Sequence, residues 1–295
     1  MLRKFIGISI TLAFTIMIAE AANTATVQAN LSATDIVSRN VQARGGLKAW
    51  RAVQSMSMEG KLGAGGNQRS TIPQPIPSKK AGKLIAPVRP TEEAQLPFEM
   101  DVQRPRKERL QIQFNGKTAV QVFDGTNGWK LRPFLNRLEV EPFTADELKA
   151  SSMQPELDGP LIDYAAKGTR IESEGVEKVE NRDAYKLKLT MKDGRTTHVW
   201  IDTQTFLEAK IEGLPRRLDG VEHPVEVYYR DYRAVSGLQV PFVLETKVLP
   251  ASKSPARVKE TPIPTEKIVI ETVVVNPKLD PTLFSKPQIG DATHN

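Results

Sequence analysis

The chain has 295 residues, no cysteine, and 41 Lys/Arg against 35 Asp/Glu for a net charge of +6. Without cysteine there are no disulfides, thiol nucleophiles or thiolate metal sites. The mild, dispersed basic excess has no aromatic-interleaved run of the kind that single-stranded nucleic acid requires, so no nucleic-acid partner is expected.

The N-terminus carries Arg3 and Lys4, then an apolar run from Phe5 to Ile18, then the small-x-small triplet Ala19-Glu20-Ala21. This order reads as a secretory signal peptide over residues 1–21, which places the protein in the periplasm. The run is shorter than the roughly 20 residues a membrane span needs. Residues 22–34 read as a polar tail. Ser32 and Thr34 are N-cap candidates for a helix carrying Ile36, Val37 and Val41, which Gly45-Gly46 stops. Leu47 to Val53 continues for a turn or two with Trp50, and Gln54 to Leu62 has strand character.

Residues 63–97 hold six prolines and few large apolar side chains. Such a stretch buries too little to offset its ordering entropy and is expected to be a mobile insert. From Phe98 the apolar period becomes two: Phe98, Met100 and Val102, then Leu110, Ile112 and Phe114. Asn115-Gly116 is a favoured two-residue hairpin turn, Thr118 to Phe123 returns, and Gly128 to Arg132 follows Asp124-Gly125. The reading is an antiparallel meander.

Thr144, with Glu147 three residues on, marks a capping box and a helix to Ala150. A second helix is predicted over Ser151 to Ala166, broken near Gly159-Pro160. Strands then resume at Arg170 to Val179, Tyr185 to Met191, Thr196 to Asp202, Leu207 to Glu212, Glu222 to Ala234, Leu238 to Val248 and Glu266 to Val275. A second mobile insert is predicted over 250–264. The whole is a mainly β (α+β) domain over 35–287, with 288–295 as a C-terminal tail.

The chemical inventory is thin. His198, His223 and His294 lack partners at ligand spacing, so no metal is expected; Gly63-Ala64-Gly65-Gly66 has no phosphate-loop Lys, and no G-x-S-x-G elbow exists. Asp158 and Asp163 could serve as general acid and base, but carboxylates at helix ends more often cap. The expectation is a cofactor-free protein that is not an enzyme. What remains is an apolar sheet side, with Leu110, Ile112, Phe114, Val120, Val122, Leu187, Leu189 and Met191 as cavity wall. Leu148, Leu157, Leu161, Ile162 and Tyr164, on the helices after Thr144, are the candidates to cover it, an ordinary packed core being the alternative for wall and cover alike, while Trp129 and Trp200 are expected to pack.

The motifs that follow resemble one family. They are Ala43-Arg44-Gly45-Gly46-Leu47; Arg104-Pro105-x-Lys107-x-Arg109-Leu110; and Gly116 to Gly125 with Gly128-Trp129. Asp158 to Tyr164 with Lys167-Gly168, Tyr185-Lys186-Leu187, Asp202 to Phe206, and Leu279-Asp280-x-x-Leu283-Phe284 complete the set. In order and spacing the chain resembles the LolA-like outer-membrane lipoprotein-sorting proteins, a superfamily that includes periplasmic anti-sigma-factor regulators and mycobacterial lipoprotein carriers. The resemblance implies an unclosed antiparallel β-barrel of about eleven strands, a helical lid and an N-terminal helix around an apolar cavity for acyl chains. It implies a carrier of a lipid or of lipoprotein acyl chains, with transient membrane-surface contact and a part in outer-membrane biogenesis. The alternative is a sensor of the same fold that binds an envelope protein partner. No lid-latching arginine is carried over, because no position matches that motif.

Overall fold

The computed structural model describes residues 31–65, 93–133, 138–154, 156–218, 220–251, 263 and 265–292. The predicted signal peptide and most of both predicted inserts lie outside these residues. None of the described helices is long and apolar enough to cross a membrane.

Among the described residues, thirteen strands form one antiparallel sheet. They are β1 (Ser55–Gly65), β2 (Glu93–Gln103), β3 (Lys107–Phe114), β4 (Lys117–Phe123), β5 (Gly128–Leu131) and β6 (Val140–Pro142), then β7 (Arg170–Val179) and β8 (Arg182–Thr190). The rest are β9 (Thr196–Asp202), β10 (Glu208–Leu218), β11 (Val221–Val235), β12 (Leu238–Val248) and β13 (Glu266–Val275). Their spatial order is β6-β5-β4-β3-β2-β1-β13-β12-β11-β10-β9-β8-β7. The chain thus starts mid-sheet, meanders to one edge, crosses to the other and meanders back until β13 pairs with β1. The end strands β6 and β7 stay apart, so the barrel is unclosed.

The count exceeds the expected eleven partly because β6, three residues long, is too short to show a period. The predicted insert 63–97 is also shorter than expected at both ends: Gly63 pairs with Gln95 and Gly65 with Glu93, extending β1 and β2. Two-residue turns set the hairpins. Asn115 and Gly116 (φ 50° and 68°) join β3 to β4, and Ser236 and Gly237 (φ 49° and 81°) join β11 to β12, with both central residues at positive φ as the strand twist favours.

Helix α1 (Ala33–Ala43) is capped by Ser32, whose Oγ accepts the Asp35 N–H at 3.1 Å. It stops where Gly45 passes the β11–β12 turn; a Cβ there would lie 2.3 Å from the Gly237 carbonyl oxygen. Helix α2 (Leu47–Ala52) buries Trp50, whose indole N–H donates to the Arg44 carbonyl at 3.0 Å. Helix α3 (Ala145–Met153) has the predicted Thr144–Glu147 capping box, and Glu147 also accepts from Lys130 of β5 at 2.5 Å.

The predicted second helix over Ser151 to Ala166 does not form. Beyond α3, residues 157–168 run as successive turns. Gly159 (φ 78°) and Asp163 (φ 52°) adopt left-handed backbone and Pro160 has no N–H to give, so the helical ladder cannot propagate. Side chains fasten this segment instead. The buried Asp158 carboxylate accepts from Arg104 at 2.7 Å and Lys167 at 2.5 Å, and Arg44 donates to the Asp158 carbonyl at 2.8 Å. Arg51 grips Asp163 through two bonds of 2.9 and 2.6 Å. The predicted tail from 288 is likewise ordered in part, for the 3-10 turn Ile289–Ala292 brings Asp291 to 3.5 Å from Arg109.

Two substitutions test this account. Gly60 sits at the β1 irregularity, and an added Cβ would lie 2.1 Å from the Val269 carbonyl oxygen and 2.9 Å from Ile270 Cα. Gly60→Val is expected to destabilise by roughly 2 kcal/mol or more in chemical denaturation. Asp158→Ala leaves two cations without their buried partner and is expected to cost about 3 kcal/mol, with faster amide exchange over 157–168; an unchanged exchange pattern would refute the fastening role.

Candidate functional site: a half-covered apolar face

Register decides which side chains share a face, because residues opposite one another across a ladder point the same way. Leu110 of β3 lies opposite Met100 of β2, which lies opposite Met58 of β1. The next row runs Ile112, Phe98, Gly60 and Ile270. A third runs Leu96, Leu62, Ile268 and Leu244. On the far side of the sheet Tyr185, Leu187 and Leu189 of β8 continue the same face through Val199 and Ile211.

Coverage of this face is uneven. Around Trp50, Val53 and Ile162, the side chains of Met56, Phe98, Leu238, Val240, Phe242 and Ile270 are buried. Leu187 and Leu189 are fully buried. By contrast Met58, Leu62, Met100, Leu110, Ile112, Leu244 and Ile268 pack on that core while staying only partly buried. Phe114, at the end of β3, is 41% exposed. The half-covered region spans β3, β2, β1, β13 and β12.

The predicted wall therefore divides into three. Leu110, Ile112 and Phe114 lie on the half-covered region. Leu187 and Leu189 share the face but are core, and Met191, just past β8, is half-buried beside Thr169. Val120 and Val122 do not belong to this wall: they pair with Gln111 and Arg109, so they point to the opposite face. There they are buried with Leu131 under Phe284, flanked by Trp129, Leu279 and Leu283. The predicted lid divides as well. Leu161 and Ile162 are fully buried plugs, Leu157 is half-buried against the same core, and Tyr164 is half-buried. Leu148 is half-buried on α3, a helix with no buried residue.

At the crossing segment, the stretch between β6 and β7, the apolar face runs into a pocket of about 300 Å³, where Val102, Glu108, Phe123, Phe143 and Leu157 meet the charged side chains of Arg104, Arg106, Lys107 and Glu156. Val102, Glu108 and Phe123 form one cross-strand row. Phe143 reaches it because Gly128 leaves room; a Cβ there would lie 2.1 Å from the ring. Glu108 is the residue that sequence reasoning passed over, and burial pushes its carboxyl above the ordinary value. Its signal was present: Glu108 is the charged first member of the alternating series Glu108, Leu110, Ile112, Phe114.

The titratable candidates of the sequence are engaged. Asp163 lies below the ordinary carboxylate range because Arg51 bonds to it. His198 Nδ1 is 2.8 Å from Glu212 and His223 Nδ1 is 2.9 Å from the Leu249 carbonyl oxygen. Among the described residues no three His, Cys, Asp or Glu side chains gather as metal ligands. Trp200 is buried on the opposite face with Tyr228, beneath Lys210 at 3.8 Å from its ring centre. The half-covered region can hold apolar chains by contact.

No protein-family model and no curated protein sequence matches the chain. Solved structures do match its fold. A DUF1329 family protein from Desulfovibrio piger superposes with a TM-score of 0.50 at 12% identity, covering 87% of this chain and 98% of its own. A LolA superfamily protein from Nitrosomonas europaea gives a TM-score of 0.50 at 12% identity, over 87% of this chain and 99% of its own. The chain has the fold of the LolA superfamily protein to which it is similar.

Proposed function

We propose that the protein is a non-catalytic periplasmic carrier that holds an acyl chain of a lipid or lipoprotein on its half-covered apolar face. The observation that carries this reading is the contrast within one sheet face. Leu187 and Leu189 are sealed, whereas Leu110, Ile112 and Phe114 remain accessible. Large accessible apolar surfaces on an exported domain mark binding sites. The N-terminal pattern of charge, apolar run and small residues supports export.

Magnitudes fit a carrier. Each buried methylene gains about 0.8 kcal/mol, so a chain of roughly 14 gains on the order of 11 kcal/mol when fully enclosed. Seating it on a half-open face realises only part of that, and the ordering cost of association reduces it further. Such a chain can be handed on.

Native mass spectrometry of the protein purified from an envelope fraction tests the reading. The expected result is a lipid-sized mass increment, lost in a Leu110→Asp/Ile112→Asp variant that still unfolds cooperatively. Leu187→Ala is expected to behave oppositely, keeping the increment while losing about 2–5 kcal/mol of stability. No bound lipid, with a stoichiometric protein partner instead, would replace the carrier with a regulatory module.

A further inference from the structure

The pocket where the chain crosses from β6 to β7 is lined by two carboxylates, Glu156, which is paired with Arg104 and Arg106, and Glu108, which has no ion pair or hydrogen bond among the described residues. Glu108 stands between Val102 and Phe123 in their cross-strand row, on the same side of β3 as Leu110 and Ile112. The charges around it are already committed. Arg104 bonds to Asp158 at 2.7 Å and lies 3.7 Å from Glu156. Arg106 donates to the Ser152 carbonyl at 2.7 Å and lies 3.3 Å from Glu156. Lys107 also lines the pocket, but its ammonium lies 5.7 Å from the centre of the Phe284 ring. Burial pushes the Glu108 carboxyl above its ordinary value. A carboxyl group held among apolar side chains is costly until something donates to it.

Resting on the carrier reading for the chain itself, we infer that Glu108 is the head-group acceptor of this site. The ligand is an amphiphile whose polar end donates hydrogen bonds, as an amine or hydroxyl does. A ligand carboxylate is disfavoured, because beside Glu108 it would meet a like charge that no ion pair among the described residues neutralises. The site then has a direction: the polar end lies at Glu108 under the crossing segment, and the tail runs along Leu110 and Ile112 toward the exposed Phe114.

The test compares dodecylamine, dodecanol and dodecanoate by competition binding to the full mature chain at neutral pH. A charge-assisted hydrogen bond is worth about 1.5–3 kcal/mol, so the amine is expected to bind at least about tenfold more tightly than dodecanoate. Glu108→Gln keeps the side-chain volume and is expected to collapse that ratio toward one. Glu108→Leu, which completes the apolar row, is expected to bind all three chains alike while folding normally. Equal affinity for amine and dodecanoate in the wild type, or an unchanged ratio in Glu108→Gln, would overturn the head-group assignment alone. Failure of all three chains to bind would overturn the carrier reading with it.

Discussion

The molecule depends on how one crossing is anchored. Strands β6 and β7 are the two ends of the sheet and yet follow each other in sequence, so residues 143–169 must carry the chain from edge to edge. A helix would satisfy its own backbone along that path. Gly159, Pro160 and Asp163 prevent one, and the segment is held by charge instead, through Asp158 between Arg104 and Lys167. Paired charges that leave water recover little net energy, but removing one partner is expensive. The arrangement therefore fixes where the segment sits more than it adds stability. Leu161 and Ile162 are thereby delivered as plugs to a particular place on the sheet, and the surface beyond them is left half-covered.

That division follows from supply. Among the described residues, the apolar groups that cover the face include Ile36, Val37, Trp50, Val53, Leu161 and Ile162, all buried. They seal one part of the face and leave Leu110, Ile112 and Phe114 accessible. The opposite face is closed by other means. Under β4 and β5 the C-terminal Phe284 and Leu283 cover Val120 and Val122. Farther along, Trp200 and Tyr228 lie beneath Lys210, which is itself paired with Glu226 at 2.7 Å. Cations over aromatic rings finish that part of the surface.

Much of this was legible in the sequence because strand periods and turn residues are local. The alternation of Tyr185, Leu187 and Leu189 and the Asn115-Gly116 turn each specify their element without help from elsewhere. Placing Val120 and Val122 on the same wall as Leu110 and Ile112 failed for a reason the sequence contained. A two-residue turn pairs Phe114 with Lys117, which sets Gln111 opposite Val120 and Arg109 opposite Val122. Both faces of β3 and β4 therefore carry apolar groups, and period alone does not distinguish them; register does. The crossing segment was misread because its apolar residues fall at helical spacing, while its backbone is decided by Gly159, Pro160 and the distant cations that bind Asp158. Neither Arg104 nor Lys167 carries a local mark of that role.

On the proposed carrier reading the protein must hold its cargo and give it up, and the gradient along β3 would let one strand serve both needs. Glu108 lies in the pocket, Leu110 and Ile112 are half-buried, and Phe114 is 41% exposed. An alkyl chain laid along this strand would lose most water near the pocket and least at its tail, so its burial energy would be concentrated at one end. Exchange could then begin at Phe114, where each methylene has least to lose, without first opening the anchored segment. Met58 and Met100, side by side beneath that path, are unbranched and adapt to different chains with little strain. On that reading, tolerance toward the tail and selectivity at the head would fall to different residues of the same face.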